Sequence, residues 1–306
     1  MPCVKINLPR QRFYNNFDNI KYFQCSIDTA YLNVLRRVLI FFIIGNTGFK
    51  IEKLYIDCID DRGNCFIVYW AKVKFFLLRI IYSGLVFSDA DGLTVEKSTL
   101  RKTVKPAING IINFNNKFLK TSISLKRIDD PISRLLYKES GNNELTWNCH
   151  HPKALVEIYY NGSVYKGLGY SETLFCPMNP LELPMEELRW GRFLSDSNTV
   201  IWINWKDEHP LNKIFLNGIE FDDAVITNKT ISFNDGKHKL TFSEVQPIRN
   251  SKLSGLFSKM KFLKIFFKSR LLNSLEIKYK AKTILSENSL FLSDGWSLFE
   301  TVTWRK

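Results

Sequence analysis

The chain has 306 residues, of which 45% are hydrophobic and 14% aromatic, and its formal net charge is +13. This composition predicts a folded protein with a large apolar core and excludes an intrinsically disordered chain. The apolar run at 38–45 is too short for the roughly 20 residues of a membrane-spanning helix, so it is interpreted as a buried strand or core helix.

Cysteine and histidine usage argues against disulfides, metals and cofactors. The six cysteines are scattered without a CxxC pair, and only four histidines occur. We therefore expect reduced, mostly buried cysteines, no metal site and no cofactor. The first residues lack the pattern of a secretory leader, so the expected location is cytoplasmic.

Turn dipeptides flanked by β-rich runs predict antiparallel hairpins. In chain order these are 53–75, closed by Asp61-Arg62-Gly63-Asn64; 154–172, closed by Asn161-Gly162; and two later ones at 212–221 and 230–245. Many short strands with little helical periodicity between them indicate an all-β protein built of antiparallel barrels or sandwiches.

A weak division falls near 140–152, where turn residues accompany a proline. Each half then has about 150 residues, an ordinary domain size. The predicted domains are 1–150 and 151–306.

The stretch GLGYSE at 167–172 is the first candidate for chemistry. Strand alternation places Tyr170, Glu172 and Leu174 on one face. If that face is interior, loss of hydration raises the pKa of Glu172 and makes it a proton donor. The alternative is a glutamate on a solvated face.

The stretch ELRWGRF at 187–193 crowds charges around a tryptophan and a glycine. Alternation puts Glu187 and Arg189 on one face, where they can pair, and Trp190 and Arg192 on the other. We expect Arg192 to point inward and to pair with a carboxylate from another strand, with Glu172 the first candidate.

The next strand, TVIWINW at 199–205, carries a tryptophan on each face. Trp202 and Asn204 share one face and Trp205 lies on the other, so both faces are expected to be covered. Trp202 and Asn204 are candidate binding residues of an apolar pocket with few polar groups. The alternative is that the tryptophans only fill the core.

Segment 251–272 has the spacing of an amphipathic helix, with Lys261, Lys264 and Lys268 on a cationic face. Such a helix suits the surface of an anionic membrane, which would place the protein at the inner face of the membrane. The alternative is a helix packed on the sheet with solvated lysines. Nucleic acid is not an expected partner, because no binding motif is present.

These motifs resemble a known family. Gly169-Tyr170 with Glu172, Pro180-Leu181, and Trp190-Gly191-Arg192 are similar to the lipocalin-like superfamily of carotenoid 1,2-hydratases (hydroxyneurosporene synthases), AttH-type proteins and, more distantly, tocopherol cyclases. The resemblance covers roughly residues 45–306. It implies two lipocalin-like β domains side by side.

The resemblance also implies an enzyme, a hydratase or cyclase acting on an isoprenoid or other lipid-like alkene bound in a β-barrel cavity. Glu172 would be the catalytic acid and Tyr170 would orient it. Trp190 and Trp202 would bind the substrate and face its cation, and Arg192 would hold a second polar group or the water. The alternatives are a non-catalytic carrier of an apolar small molecule and a membrane-surface binding protein.

Overall fold

In the computed structural model, every regular element among the described residues is a β-strand. The described residues are 49–75, 78–138, 143–178, 183, 185–207, 209–252 and 274–304. The all-β expectation is confirmed. The predicted basic helix falls almost wholly on residues that lie outside these ranges.

The first sheet has nine antiparallel strands and curls into a half-barrel. In spatial order it runs β4-β3-β2-β1-β9-β8-β6-β5, with β7 also paired to β8. The strands are β1 (Phe49–Asp60), β2 (Cys65–Phe75), β3 (Leu78–Ser88), β4 (Thr94–Thr99), β5 (Ile111–Asn116), β6 (Thr121–Arg127), β7 (Ile132–Lys138), β8 (Glu144–Tyr160) and β9 (Ser163–Cys176).

The second sheet also has nine strands, in the order β13-β12-β11-β10-β18-β17-β16-β15-β14. The strands are β10 (Glu187–Leu194), β11 (Thr199–Lys206), β12 (Leu211–Leu216), β13 (Ile219–Phe221), β14 (Val225–Ile226), β15 (Thr230–Phe233), β16 (His238–Lys252), β17 (Leu275–Glu287) and β18 (Leu290–Thr303).

The predicted hairpins are confirmed, and their turn residues explain them. β8 and β9 pair through Asn161 and Gly162, whose φ angles are +49° and +86°. Asparagine and glycine tolerate this left-handed conformation, which a two-residue hairpin turn requires. The turns at Gly63, Gly218 and Gly236 also have positive φ angles.

Each sheet buries both of its faces, as the two-sided apolar strands require. One face of the first sheet holds a cluster of its own around Leu54 and Phe66, and one face of the second sheet holds a cluster around Phe193 and Trp202. The remaining faces meet in two clusters to which both sheets contribute. The two half-barrels therefore pack face to face, and this interface contains the candidate site.

The change of sheet comes between β9 and β10, not at the predicted boundary of 150/151. That boundary falls inside β8, a single strand of 17 residues. Pro152 does not end the strand, because the β8–β9 register shifts between Cys149 and Ala154 and so accommodates a residue that cannot donate to the ladder.

Among the described residues, no helix is long and apolar enough to cross a membrane. The apolar run at 38–45 and the lysines at 261, 264 and 268 lie outside those residues. Membrane-surface contact by the lysines stays a prediction. Changing Lys261, Lys264 and Lys268 to Glu is expected to abolish co-sedimentation with anionic liposomes, because the attraction is electrostatic; undiminished co-sedimentation would reject this contact.

Candidate active site between the two sheets

A narrow cleft opens between the two sheets, and we call it the Glu172 cleft. It spans about 370 Å³ including its mouth, with enclosed room for about one water molecule. It is lined by Lys53, Tyr55, Asp57, Tyr170, Glu172, Trp190, Gly191, Arg192, Lys278, Leu298, Phe299 and Glu300.

Two hydrogen bonds hold Glu172 in this cleft. Its side chain points from the central strand β9 into the interface, and the residue is only 6% exposed. Trp147 Nε1 on the neighbouring strand donates to Glu172 Oε2 at 2.6 Å, and the Tyr170 hydroxyl donates to the same oxygen. Both hydrogen bonds from described residues thus end on Oε2. The expectation that Tyr170 orients the acid is consistent with this geometry.

Burial raises the pKa of Glu172 above its ordinary value of 4.5, and this is the largest influence on the carboxyl. The hydrogen bonds from Tyr170 and Trp147 and the charge of Lys53 oppose the rise without cancelling it. A raised pKa is the property that a proton donor needs, and the role of Glu172 as the acid stays a prediction.

The raised pKa gives a stability prediction. Folding favours protonated Glu172, so its contribution to stability is full below about pH 4.5 and is lost as the pH rises through the folded-state pKa. Glu172→Gln cannot titrate. Relative to wild type, the variant is expected to gain unfolding free energy as the pH rises above about 4.5. Thermal unfolding of both proteins across this range measures the difference; a constant difference would contradict the raised pKa.

Arg192 points into the interface as expected, but its partner is Asp57 on β1 and not Glu172. Arg192 Nη2 and Nε reach Asp57 Oδ1 at 2.6 and 3.1 Å, and Arg192 Nη1 donates to the Trp296 carbonyl at 2.9 Å. Both side chains are almost fully buried. The expected pairing with Glu172 is wrong because Arg192 reaches Asp57 through both Nη2 and Nε, which gives the guanidinium a bidentate partner. Glu172 is therefore not paired with Arg192, and the cation that lowers its pKa is Lys53.

Two lysines, Lys53 and Lys278, also line the cleft. Lys278 on β17 is ion-paired with Glu300, and its Nζ lies 3.3 Å from Glu276 Oε1. Burial lowers the pKa of Lys278 to about 8. Lys53 Nζ lies 5.3 Å from the ring centroid of Tyr69, within reach of a cation–π contact.

Trp202 and Asn204 do not belong to the Glu172 cleft. The β10–β11 register sets Trp202 opposite Gly191 and Asn204 opposite Arg189, whereas Trp190 lies opposite Ile203. Directly paired residues point to the same face of a sheet, so Trp202 and Asn204 lie on the face away from Trp190. Asn204 Nδ2 donates to Asn212 Oδ1 at 3.3 Å. Their predicted place in the same pocket as Glu172 is therefore wrong.

Trp202 instead lines a second cavity, on the outer face of the second sheet, with an open volume of about 870 Å³. Phe299 stacks there between Phe242 and Tyr279, with ring centroids 4.9 and 5.2 Å apart. We call this space the second-sheet cavity.

Gly191 separates the two spaces, and only glycine fits there. A Cβ atom on Gly191 would lie 2.4 Å from both the Phe299 Cβ and the Trp202 ring. Gly191→Ala is expected to lower the unfolding free energy by about 1–3 kcal/mol through overpacking. Urea unfolding measures this. Gly110→Ala is the matched control, because no atom lies within 4 Å of its added Cβ; equal losses would contradict the close packing at Gly191.

The sequence pattern did not predict four residues of the cleft: Lys53, Asp57, Trp147 and Lys278. Asp57 was detectable, since it interrupts the apolar strand YIDCID, and a charge there needs a buried partner. Trp147 and Lys278 gave no local signal because their roles depend on neighbours from other strands.

Glu187 and Arg189 form the expected local pair, with Arg189 Nε 2.7 Å from Glu187 Oε1. Cys58, Cys65, Cys149 and Cys176 are buried and free. Within the described part of the chain, no cluster of three or more His, Cys, Asp or Glu side chains could hold a metal ion.

Two curled antiparallel half-barrel sheets define an all-β fold that is consistent with two lipocalin-like domains. Three solved structures share it. A protein described as an AttH from Nitrosomonas europaea has 9% identity, covers 85% of this chain and 93% of its own, and has a TM-score of 0.53. CghA with Sch210972 has 8% identity, coverages of 83% and 88%, and a TM-score of 0.51.

Kievitone hydratase from Nectria haematococca has 11% identity, coverages of 84% and 89%, and a TM-score of 0.50. No protein-family model and no curated protein sequence matches the chain. At these identities the likeness establishes the fold alone, and at that level the resemblance to AttH-type proteins is confirmed, whereas a likeness to tocopherol cyclases is not shown.

Proposed function

We propose that this chain is an acid catalyst that hydrates or cyclises an alkene in an isoprenoid or other lipid-like molecule. The observation that carries the proposal is Glu172, a buried carboxyl without a cationic partner in hydrogen-bond contact among the described residues, which two donors fix at the Glu172 cleft. The likeness to the fold of kievitone hydratase supports the same class of reaction.

In this reaction, protonated Glu172 transfers its proton to one carbon of the double bond. A water oxygen forms a bond to the other carbon, and the proton that this water loses returns to the Glu172 carboxylate. The alkene and water are consumed, and the acid is regenerated. In cyclisation, a second nucleophile within the substrate takes the place of water. Trp147 and Tyr170 keep the carboxyl aimed at the cleft throughout.

The substrate's reactive end must be slim, because the enclosed part of the cleft has room for about one water molecule. The rest of a longer molecule would extend through the open mouth.

The experiment that tests this function is incubation of the purified protein with lipid extracts from an isoprenoid-producing cell in ¹⁸O-labelled water. Mass spectrometry should reveal a compound that gains one labelled water, or an isomer of unchanged mass after cyclisation. Glu172→Gln protein gives the matched control. Identical products with both proteins would reject Glu172 as the acid.

A non-catalytic carrier is the second candidate, and the second-sheet cavity favours it. Its walls are stacked aromatic side chains, which are a usual lining of small-molecule sites and suit an apolar molecule. A carrier should retain the same lipid, chemically unaltered, in wild-type and Glu172→Gln protein. Mass spectrometry of the lipid extracted from each protein distinguishes the two functions; a product bound only to wild type would contradict the carrier.

A further inference from the structure

Trp190 carries a buried donor that no described residue satisfies. Its indole ring lines the Glu172 cleft, and its Nε1 is shielded from solvent without a hydrogen-bond partner in the described part of the chain. The ring lies edge-on to Trp147, with centroids 6.1 Å apart, and Trp147 is itself bonded to Glu172. An unpartnered buried N–H is unfavourable for folding, so a donor in this position suits an acceptor that arrives with a ligand.

The charges of the cleft restrict which substrate can react there. Two of the three lining cations lie against carboxylates: Arg192 pairs with Asp57, and Lys278 contacts both Glu300 and Glu276. The third cation, Lys53, faces aromatic rings. The Lys53 ammonium would repel a full carbocation, whereas it would stabilise negative charge developing on a substrate oxygen.

Taken together, and resting on the function proposed above, these observations lead us to propose that the alkene is conjugated to a carbonyl group. The carbonyl oxygen accepts the N–H of Trp190. The substrate is therefore an α,β-unsaturated ketone or a close relative, and not an isolated alkene.

The reaction is then the conjugate addition of water to the α,β-unsaturated ketone. The water oxygen bonds to the β carbon, and the π electrons of the double bond shift to the carbonyl oxygen, which Trp190 Nε1 and Lys53 stabilise. Glu172 then protonates the α carbon, restoring the C=O bond, and the proton lost by water returns to Glu172. The product is a β-hydroxy ketone.

The test uses a small probe because the cleft is narrow. Mesityl oxide, a branched enone, is compared with the hydrocarbon in which a methylene group replaces its carbonyl. Wild-type protein is expected to bind mesityl oxide more tightly than the hydrocarbon and to convert it to diacetone alcohol. Trp190→Phe, which keeps an aromatic ring but removes the indole N–H, should weaken enone binding roughly three- to tenfold more than it weakens hydrocarbon binding.

Trp205→Phe is the matched control, because Trp205 Nε1 donates to the His209 carbonyl at 2.8 Å and lies outside the cleft lining. It should leave the preference for the enone unchanged. A second measurement uses wild-type protein labelled with ¹⁵N-tryptophan: the Trp190 indole resonance, identified by its loss in Trp190→Phe, should shift with mesityl oxide and not with the hydrocarbon.

Equal binding of the two probes, or equal weakening of both by Trp190→Phe, would overturn the inference, as would an unmoved indole resonance. A separate measurement, the conversion rate of Glu172→Gln protein, tests the proposed function. If Glu172→Gln converts mesityl oxide as fast as wild type, the catalytic role of Glu172 is rejected, and the binding comparison still decides whether Trp190 recognises a carbonyl.

Discussion

Glu172→Gln is expected to lower the rate of substrate conversion by roughly 100-fold or more, the usual contribution of a positioned general acid. The amide has nearly the shape of the carboxyl, and its oxygen can accept the same hydrogen bonds from Trp147 and Tyr170. It has no acidic proton to transfer. Substrate binding should therefore change little while turnover falls.

The measurement is single-turnover kinetics with wild type and variant, with binding followed separately by tryptophan fluorescence. Glu157→Gln is the matched control, because the Glu157 side chain is 57% exposed and pairs with Lys166. It should leave the rate unchanged. A Glu172→Gln variant that keeps the wild-type rate would show that the proton comes from another group.

The second large effect concerns the buried ion pair between the sheets. Asp57→Asn is expected to lower the unfolding free energy by about 3–5 kcal/mol, because the Arg192 guanidinium then stays buried without its counter-charge. The side chains of Arg192 and Asp57 are 2% and 1% exposed, so solvent screens this interaction little. Urea unfolding measures the loss.

Two controls make this prediction specific to the buried pair. Glu157→Gln breaks the exposed pair with Lys166, and it should cost only about 0–1 kcal/mol. The double variant Asp57→Leu with Arg192→Met removes both charges, and it should recover much of the loss because no buried charge is left unpaired. A loss in Asp57→Asn as small as that of Glu157→Gln would contradict the role of the pair in joining the sheets.

Local sequence patterns predicted the strands and hairpins well. Asn161-Gly162 and the other turn dipeptides specify φ angles that few residues adopt, so they mark hairpins without knowledge of the tertiary structure. The division at 150/151 failed for a physical reason. Turn-rich residues and a proline near 140–152 are typical of a linker, but a shift in strand register accommodated Pro152 inside β8.

Strand alternation predicted which residues of the candidate site share a face of one strand, but not which strands meet at the site. That alternation correctly grouped Tyr170 with Glu172 and Trp190 with Arg192. It could not tell which face of β11 joins the same site, since the β10–β11 register decides this, and Trp202 consequently lies in the other cavity. The partner of Arg192 was equally inaccessible, because Asp57 comes from a strand 135 positions earlier.

The lysines of β17 could not be predicted as part of the site from their own strand. Alternating lysines such as Lys278 and Lys280 are typical of a solvated strand face. Here that face meets the first sheet, where Lys280 Nζ donates to the Gly63 carbonyl at 2.9 Å and Lys278 pairs with two carboxylates. Only the packing of one sheet on the other turns this pattern into part of a site.

The proposed role requires that Glu172 keep its proton in the folded protein at a pH above its ordinary pKa of 4.5. The most direct test is the infrared difference spectrum between wild type and Glu172→Gln at that pH. We predict that wild type has the C=O stretch of a protonated carboxylic acid, which the variant lacks. Loss of a carboxylate band in its place would show that Glu172 is ionised and would contradict its role as the proton donor.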